Sequence, residues 1–242
     1  MIPAQHNKSA EALFFLYIIP AMRRHFHSIH LLGVEPDWPQ NHPLLVLPNH
    51  CSWWDGFFIY LLNSRVWRRK PYLMMLEEQL AQNRFFRYLG AYSVNSKNPG
   101  ALRTSLRYTQ EILSGRWQQN IMLCIFPQGE LLPWQVRPLG YKPGMLWLLQ
   151  NLNLPVWIVQ MGIKIEFLLQ QRPQVFIEFA EPLRYSDGEG TLEFWQQRHT
   201  RLLEAMNQKI LHKEEGRLLL QGKKSVNTRW LQLRQSISRS KG

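Results

Sequence analysis

Asn49, His50, Cys51, Ser52 and Asp55 fall within one stretch, PNHCSWWD (Pro48–Asp55), directly after the apolar run PLLVL. A histidine can take a proton from a hydroxyl near neutral pH. A carboxylate on its second ring nitrogen fixes the tautomer and stabilises the imidazolium that forms. His50 and Asp55 have the spacing H-x4-D. On one continuous helix, residues five apart do not face each other. The pair therefore needs a bend, with His50 in a loop and Asp55 opening a helix. The competing role for Asp55 is a helix cap with His50 merely nearby. Chance alone supplies about 0.1 such spacings in a chain of this composition, so spacing by itself favours the cap. Cys51 is adjacent to His50, and neighbouring side chains seldom reach the geometry of a Cys–His couple. Cys51 and Ser52 are read as bystanders, and Trp53 and Trp54 as packing or interfacial residues. The chain contains no G-x-S-x-G elbow, P-loop or G-x-G-x-x-G. In HFHSIH, a helix would place His27 and His30 on one face but not His25, so no metal site is expected.

The elements that must position these residues are legible from periodicity. PLLVLPN (Pro43–Asn49), PYLMML, GAYSVN, NIMLCIFP, LPVWIVQMGI and PQVFIEFAEPL read as strands, the last being the final one. Helices are expected over DGFFIYLLNSRV, EEQLAQNRFFRYL, KPGMLWLLQNLN and TLEFWQQRHTRLLEAMNQKILHK. A further helix begins after Pro99 and stops at Gly115. Strands alternating with helices imply an α/β fold, a mostly parallel twisted sheet covered by helices on both faces. Ligands on such sheets sit past the carboxyl ends of the strands. The polar stretches after Leu47 and after Phe126 both lie at such ends.

At 242 residues and 45% hydrophobic content, the chain can bury a sizeable core. A formal net charge of +12 points to an anionic partner, and ten tryptophans tilt that partner towards a membrane surface. Two cysteines, Cys51 and Cys124, form no disulfide framework and suit a reducing, cytosol-facing compartment. The apolar run ALFFLYIIPAM is shorter than the roughly 20 residues that span a bilayer. Arg23, Arg24, His25, His27 and His30 follow it, where a signal peptide would carry small residues. It is either an N-terminal interfacial helix or an ordinary core helix. The resulting division is a membrane-interface helix region over 1–35, a main domain over 36–215 and a basic tail over 216–242. The tail carries Arg217, Lys223, Lys224, Arg229, Arg234, Arg239 and Lys241 without an acid, as a frayed terminus or an arm on anionic lipid.

Five ordered stretches form a familiar pattern. Asn49-His50-x4-Asp55, LGAYSVNSKNPGALR, IFPQGE, GYKPG and LPVWIVQMGI resemble successive blocks of the glycerolipid acyltransferase family, of the 1-acylglycerol-3-phosphate (lysophosphatidic acid) acyltransferase type. The resemblance covers about Leu44 to Leu183. It implies transfer of a fatty acyl group from a thioester, on coenzyme A or acyl carrier protein, to the hydroxyl of a lysophospholipid or another lipid-like acceptor. His50 would be the general base and Asp55 would orient and charge-balance it. Asn49 would brace the loop, and backbone N–H groups around Gly129 would hold the oxyanion. No cofactor beyond the thioester co-substrate is implied.

Two departures concern the acceptor. Ser96 stands where the family has an arginine, and Gln128 and Glu130 replace its glutamate and threonine. Serine cannot supply an arginine's bidentate grip on phosphate. The acceptor-binding candidates are therefore Ser96, Lys97, Arg103, Phe126, Pro127, Gln128, Glu130 and Lys142, with Arg137 a further cation. The expected setting is the cytoplasmic face of a membrane, peripheral or monotopic, with no nucleic acid. The alternative is a non-catalytic binder of anionic membrane or nucleic acid on the same scaffold.

Overall fold

The computed structural model describes residues 1–114, 120–152, 155–185, 190–214 and 216–223. In chain order these form α1 (Lys8–His25), β1 (Ser28–Leu31), β2 (Leu44–Pro48), α2 (Asp55–Leu62), β3 (Lys70–Leu76), α3 (Glu77–Gln82), β4 (Ala91–Val94), α4 (Pro99–Leu113), β5 (Ile121–Cys124), α5 (Pro143–Gln150), β6 (Val156–Glu166), β7 (Gln174–Phe179), β8 (Leu183–Tyr185), α6 (Leu192–Leu211) and β9 (Arg217–Gln221). A π-helical turn (Asn63–Trp67) extends α2, and a 3-10 turn (Arg84–Tyr88) follows α3.

The strands make one sheet in the order β4-β3-β5-β2-β6-β7-β1-β9, with β8 alongside β6. The run from β4 to β6 is parallel, as is β1 with β7. The hairpin β6–β7 and the pairs β6–β8 and β1–β9 are antiparallel. This is the expected mostly parallel α/β architecture. β2 lies between β5 and β6, and every one of its residues is buried. Its alternation feeds two cores. Leu44 and Val46 pack with Phe14, Ile18 and Met22 of α1 and Phe58 and Leu62 of α2. Leu45 and Leu47 pack with Leu106 of α4, Leu148 of α5 and Leu203 of α6.

Helix starts carry local signals. Asn7 and Asn98 cap α1 and α4 by accepting the N–H of Ala10 and Ala101, each at 3.0 Å, and Thr191 caps α6. α1 ends in Arg23, Arg24 and His25, the charge sign its C-terminal dipole favours. The helix shows both faces the sequence allowed. Phe14, Ile18 and Met22 point inward, while Leu13, Leu16 and Tyr17 are 61%, 74% and 73% exposed. Among the described residues, no helix is long and apolar enough to cross a membrane.

The sheet extends beyond the expected limits at both ends of the chain. PQVFIEFAEPL is not the last strand, because it divides into β7 and the start of β8, and β9 follows α6. Ser28–Leu31 and Arg217–Gln221, assigned from sequence to a helix region and a tail, pair with each other, Ser28 with Gln221 and Leu31 with Arg217. Leu220 is buried there, and the Arg217 guanidinium bonds the Glu35 carboxylate. The flanking glycines permit the approach. A Cβ on Gly216 would come 2.5 Å from the Leu31 carbonyl oxygen, and one on Gly222 would collide with the Phe26 carbonyl. The part of the basic tail from Lys224 onward, and the helix stop at Gly115, lie outside the described residues.

Candidate active site

β2 delivers Asn49 and His50 to the carboxyl edge of the sheet, and the chain bends back before α2. The bend is closed by hydrogen bonds to one carboxylate. Asp55 is fully buried, and its Oδ2 accepts from His50 Nδ1 at 2.8 Å, from Cys51 N–H at 2.7 Å and from Ser52 N–H at 2.8 Å. Its Oδ1 accepts from Ser52 Oγ at 2.5 Å. The capping role is not realised, since α2 has no side-chain cap bond and the Asp55 carboxylate points back into the loop. With its Nδ1–H given to Asp55, the neutral His50 ring carries its free lone pair on Nε2. The His50 side chain is 24% exposed, so the ring is reachable from solvent.

Asn49 is a two-point clamp. Its side chain accepts from Ile163 N–H at 2.7 Å and donates to the Ile163 carbonyl at 3.0 Å. Its backbone N–H donates to the Met161 carbonyl at 3.2 Å. That carbonyl also accepts from His199 Nε2 at 3.0 Å. Burial holds His199 down at a pKa of about 4. The neutral ring accepts the Tyr141 hydroxyl on Nδ1 at 2.7 Å, and that hydroxyl in turn accepts from Gln160 at 3.0 Å. A closed polar network thus fixes β6 where Asn49 grips it.

The segment after β5 meets the same edge. The Phe126 ring lies against His50 with centroids 4.1 Å apart and planes 24° apart. Gln128 is 2% exposed, and its Oε1 accepts the His50 backbone N–H at 2.6 Å. It holds the loop rather than presenting an open face for a ligand. Buried Pro127 accepts the Lys142 N–H at 2.8 Å. Gly129 adopts φ +67, and a Cβ there would sit 2.9 Å from Lys142 Cγ. Its own N–H is already committed to the Phe126 carbonyl at 3.0 Å. Exposed Glu130 and Lys142 pair at 2.6 Å.

The remaining acceptor candidates are elsewhere. Ser96 and Lys97 follow β4, three strand positions from β2, or roughly 14 Å along the same edge. Lys97 is paired with Glu78 at 2.6 Å, and Arg103 is exposed on the second turn of α4. Arg137 is turned inward, donating to the Trp134 and Val136 carbonyls, each at 2.7 Å. The three histidines of HFHSIH do not converge. His25 ends α1 against Trp54, and His30 lies on β1 bonded to Ser28. Among the described residues no group of three or more His, Cys, Asp or Glu could hold a metal.

The profile of the family described as Acyltransferase matches residues 33–163, a span that includes the His50–Asp55 bend, the Phe126–Glu130 segment and the Ile163 clamp. The chain belongs to the acyltransferase family. The crystal structure of the 1-acyl-sn-glycerophosphate (LPA) acyltransferase PlsC from Thermotoga maritima shares its fold. The TM-score is 0.55 at 19% sequence identity, over 84% of this chain and 79% of that one. No curated protein matches the sequence. Membership supports the enzymatic reading of the sequence, an acyltransferase.

Sequence reasoning missed the bracing roles of two residues around His50. Ser52 is a brace for Asp55, signalled in sequence only by a hydroxyl three residues before a helix-opening aspartate. Gln128, expected at the acceptor, accepts the His50 backbone N–H, a bracing role that no local pattern signals. Cys51 lacks the environment of a nucleophile. Burial, and next the nearby Asp55 carboxylate, push its thiol far above the ordinary range, and its Sγ sits 3.5 Å from the Ile163 carbonyl. A protonated, enclosed thiol is a poor nucleophile. Cys51→Ala is expected to keep acyl transfer within about threefold of wild type, as a surrounding-residue change should. A loss like that of His50→Ala in a thioester-release assay would refute this.

Proposed function

We propose that the acyltransferase moves a fatty acyl group from a thioester, on coenzyme A or acyl carrier protein, to a hydroxyl of a lysophospholipid or other lipid-like acceptor at a membrane surface. The observation that carries this reading is the 2.8 Å contact between His50 Nδ1 and buried Asp55, which leaves Nε2 as the basic atom of a partly exposed ring. Nε2 removes the acceptor's hydroxyl proton as the oxygen attacks the thioester carbonyl. The carbonyl becomes a tetrahedral oxyanion, and the Asp55 carboxylate offsets the imidazolium charge. Collapse of the oxyanion expels the thiolate, which takes the proton back from His50. The products are an ester and a free thiol, with no acyl-enzyme. Backbone N–H groups around Gly129 hold the oxyanion, though the Gly129 N–H itself is spent within its own turn.

The acceptor headgroup extends from His50 along the edge, past Glu130 and Lys142 beyond β5, towards Ser96, Lys97 and Arg103. The outward apolar stripe of α1, Leu13, Leu16 and Tyr17, ends in Arg23 and Arg24, an arrangement suited to lying in a cytoplasmic membrane interface.

The test is lipid mass spectrometry after incubating purified protein with acyl-coenzyme A or acyl carrier protein and a panel of vesicle-borne lysophospholipids and lipid alcohols. One acceptor is expected to gain one acyl chain with matching release of free thiol. Thioester hydrolysis without any acylated lipid would reject the reading.

A further inference from the structure

We propose that the β6–β7 tip, Phe167-Leu168-Leu169, inserts into an anionic bilayer as a second membrane contact beside α1, holding the His50 edge of the sheet against lipid. This rests on the membrane reading above. β2 stops opposite Met161, but β6 runs on to Glu166, still paired with Gln174 of β7. Asn49 and Cys51 reach Ile163. Glu166 is three residues farther out, so the tip begins about 10 Å beyond the level of the His50 loop. There Phe167, Leu168 and Leu169 are 70%, 47% and 93% exposed. Loops of this kind are ordinarily built from Gly, Pro, Asn, Asp and Ser, and scattered single apolar residues would need no explanation. Three consecutive large ones do.

The base of the tip is cationic. Arg172 Nη1 donates to the Arg23 and Arg24 carbonyls at 2.9 and 3.1 Å, fastening the hairpin to the last turn of α1. The Lys223 N–H donates to the Arg23 carbonyl at 2.7 Å. Arg23, Arg24, Arg172 and Lys223 therefore gather around this base, while the nearby Glu166 is matched by Lys164 at 2.5 Å. An apolar tip below a cationic collar fits hydrocarbon below anionic headgroups. A protein partner would need a far larger surface than three side chains, on the order of 1,000 Å².

The experiment is co-sedimentation with phosphatidylcholine vesicles with and without phosphatidylglycerol. It compares wild type, Phe167→Ser/Leu168→Ser/Leu169→Ser, the single Leu169→Asp, and Leu13→Ser/Leu16→Ser/Tyr17→Ser on α1. Thermal unfolding of each variant should stay near wild type, because the altered side chains are exposed. The tip triple is expected to lower partition onto phosphatidylglycerol vesicles by about tenfold or more, given the apolar area it withdraws. Leu169→Asp should fall in the same direction, and added salt should weaken wild-type binding. If wild type itself fails to bind vesicles, the membrane reading fails and the tip proposal with it. If wild type and the α1 dependence behave as expected but both tip variants bind like wild type, the tip proposal alone is overturned.

Discussion

Replacing His50 by alanine is expected to lower the rate of acyl transfer by about 10²- to 10⁴-fold, the usual contribution of a positioned general base. The ring's Nε2 is the basic atom left free by the Asp55 contact. Alanine leaves Asp55 its Ser52 and backbone donors, so the loop keeps its shape. The lost stacking on Phe126 should cost only about 1 kcal/mol of stability. Vesicle binding should be unchanged, because His50 lies apart from the exposed apolar residues of α1 and the β6–β7 tip. The measurement is product formation by mass spectrometry alongside vesicle co-sedimentation. A variant that still transfers acyl chains within tenfold of wild type would show that another group takes the proton.

Asp55 is expected to give the second large effect, and two substitutions separate its roles. Asp55→Ala removes the acceptor for His50, both backbone N–H groups and the Ser52 hydroxyl. Orphaned buried donors cost about 1–3 kcal/mol each before relaxation. At about 2–4 °C per kcal/mol for a domain of this size, a fall in Tm of several degrees should accompany loss of activity. Asp55→Asn is different. Its single oxygen can occupy the Oδ2 position, where three donors meet, and its amide can face a Ser52 hydroxyl turned to accept. The bend and the His50 tautomer survive, so the Tm change should be the smaller of the two. The negative charge facing the imidazolium is gone, and the rate should still fall by about 10²- to 10⁴-fold. Differential scanning calorimetry with single-turnover kinetics distinguishes the two. A stable Asp55→Asn variant with near-wild-type rate would reduce Asp55 to a structural brace.

Much of this was legible in the chain because it depends on neighbours in sequence. The strand at Leu44–Pro48, the helix after Asp55 and the alternation of strand with helix follow from short-range periodicity. So does the need for a bend between His50 and Asp55, since five residues cannot face on a helix. By its sequence, the apolar run of α1 fits either an interfacial or a core helix. The tertiary structure shows that its stripes divide, because a helix presents different residues to opposite sides. The pairing of β1 with β9 was not legible. Each strand is only a few residues long, and they meet across nearly the whole chain, with close approach at Gly216 and Gly222 that no local pattern announces.

The site divides in the same way. Residue type and order along the chain identified His50 and Asp55 and placed the Phe126–Glu130 segment at a strand end. Local sequence could not say that Gln128, 78 residues away, accepts the His50 N–H, or that Asn49 clamps Ile163, 114 residues away. Nor could it say that the acceptor candidates split, with Phe126–Glu130 and Lys142 beside His50 and Ser96 and Lys97 three strands along. Those relations are set by strand order and register. The order comes from which buried faces pack together, a property of the whole sheet rather than of any window of sequence.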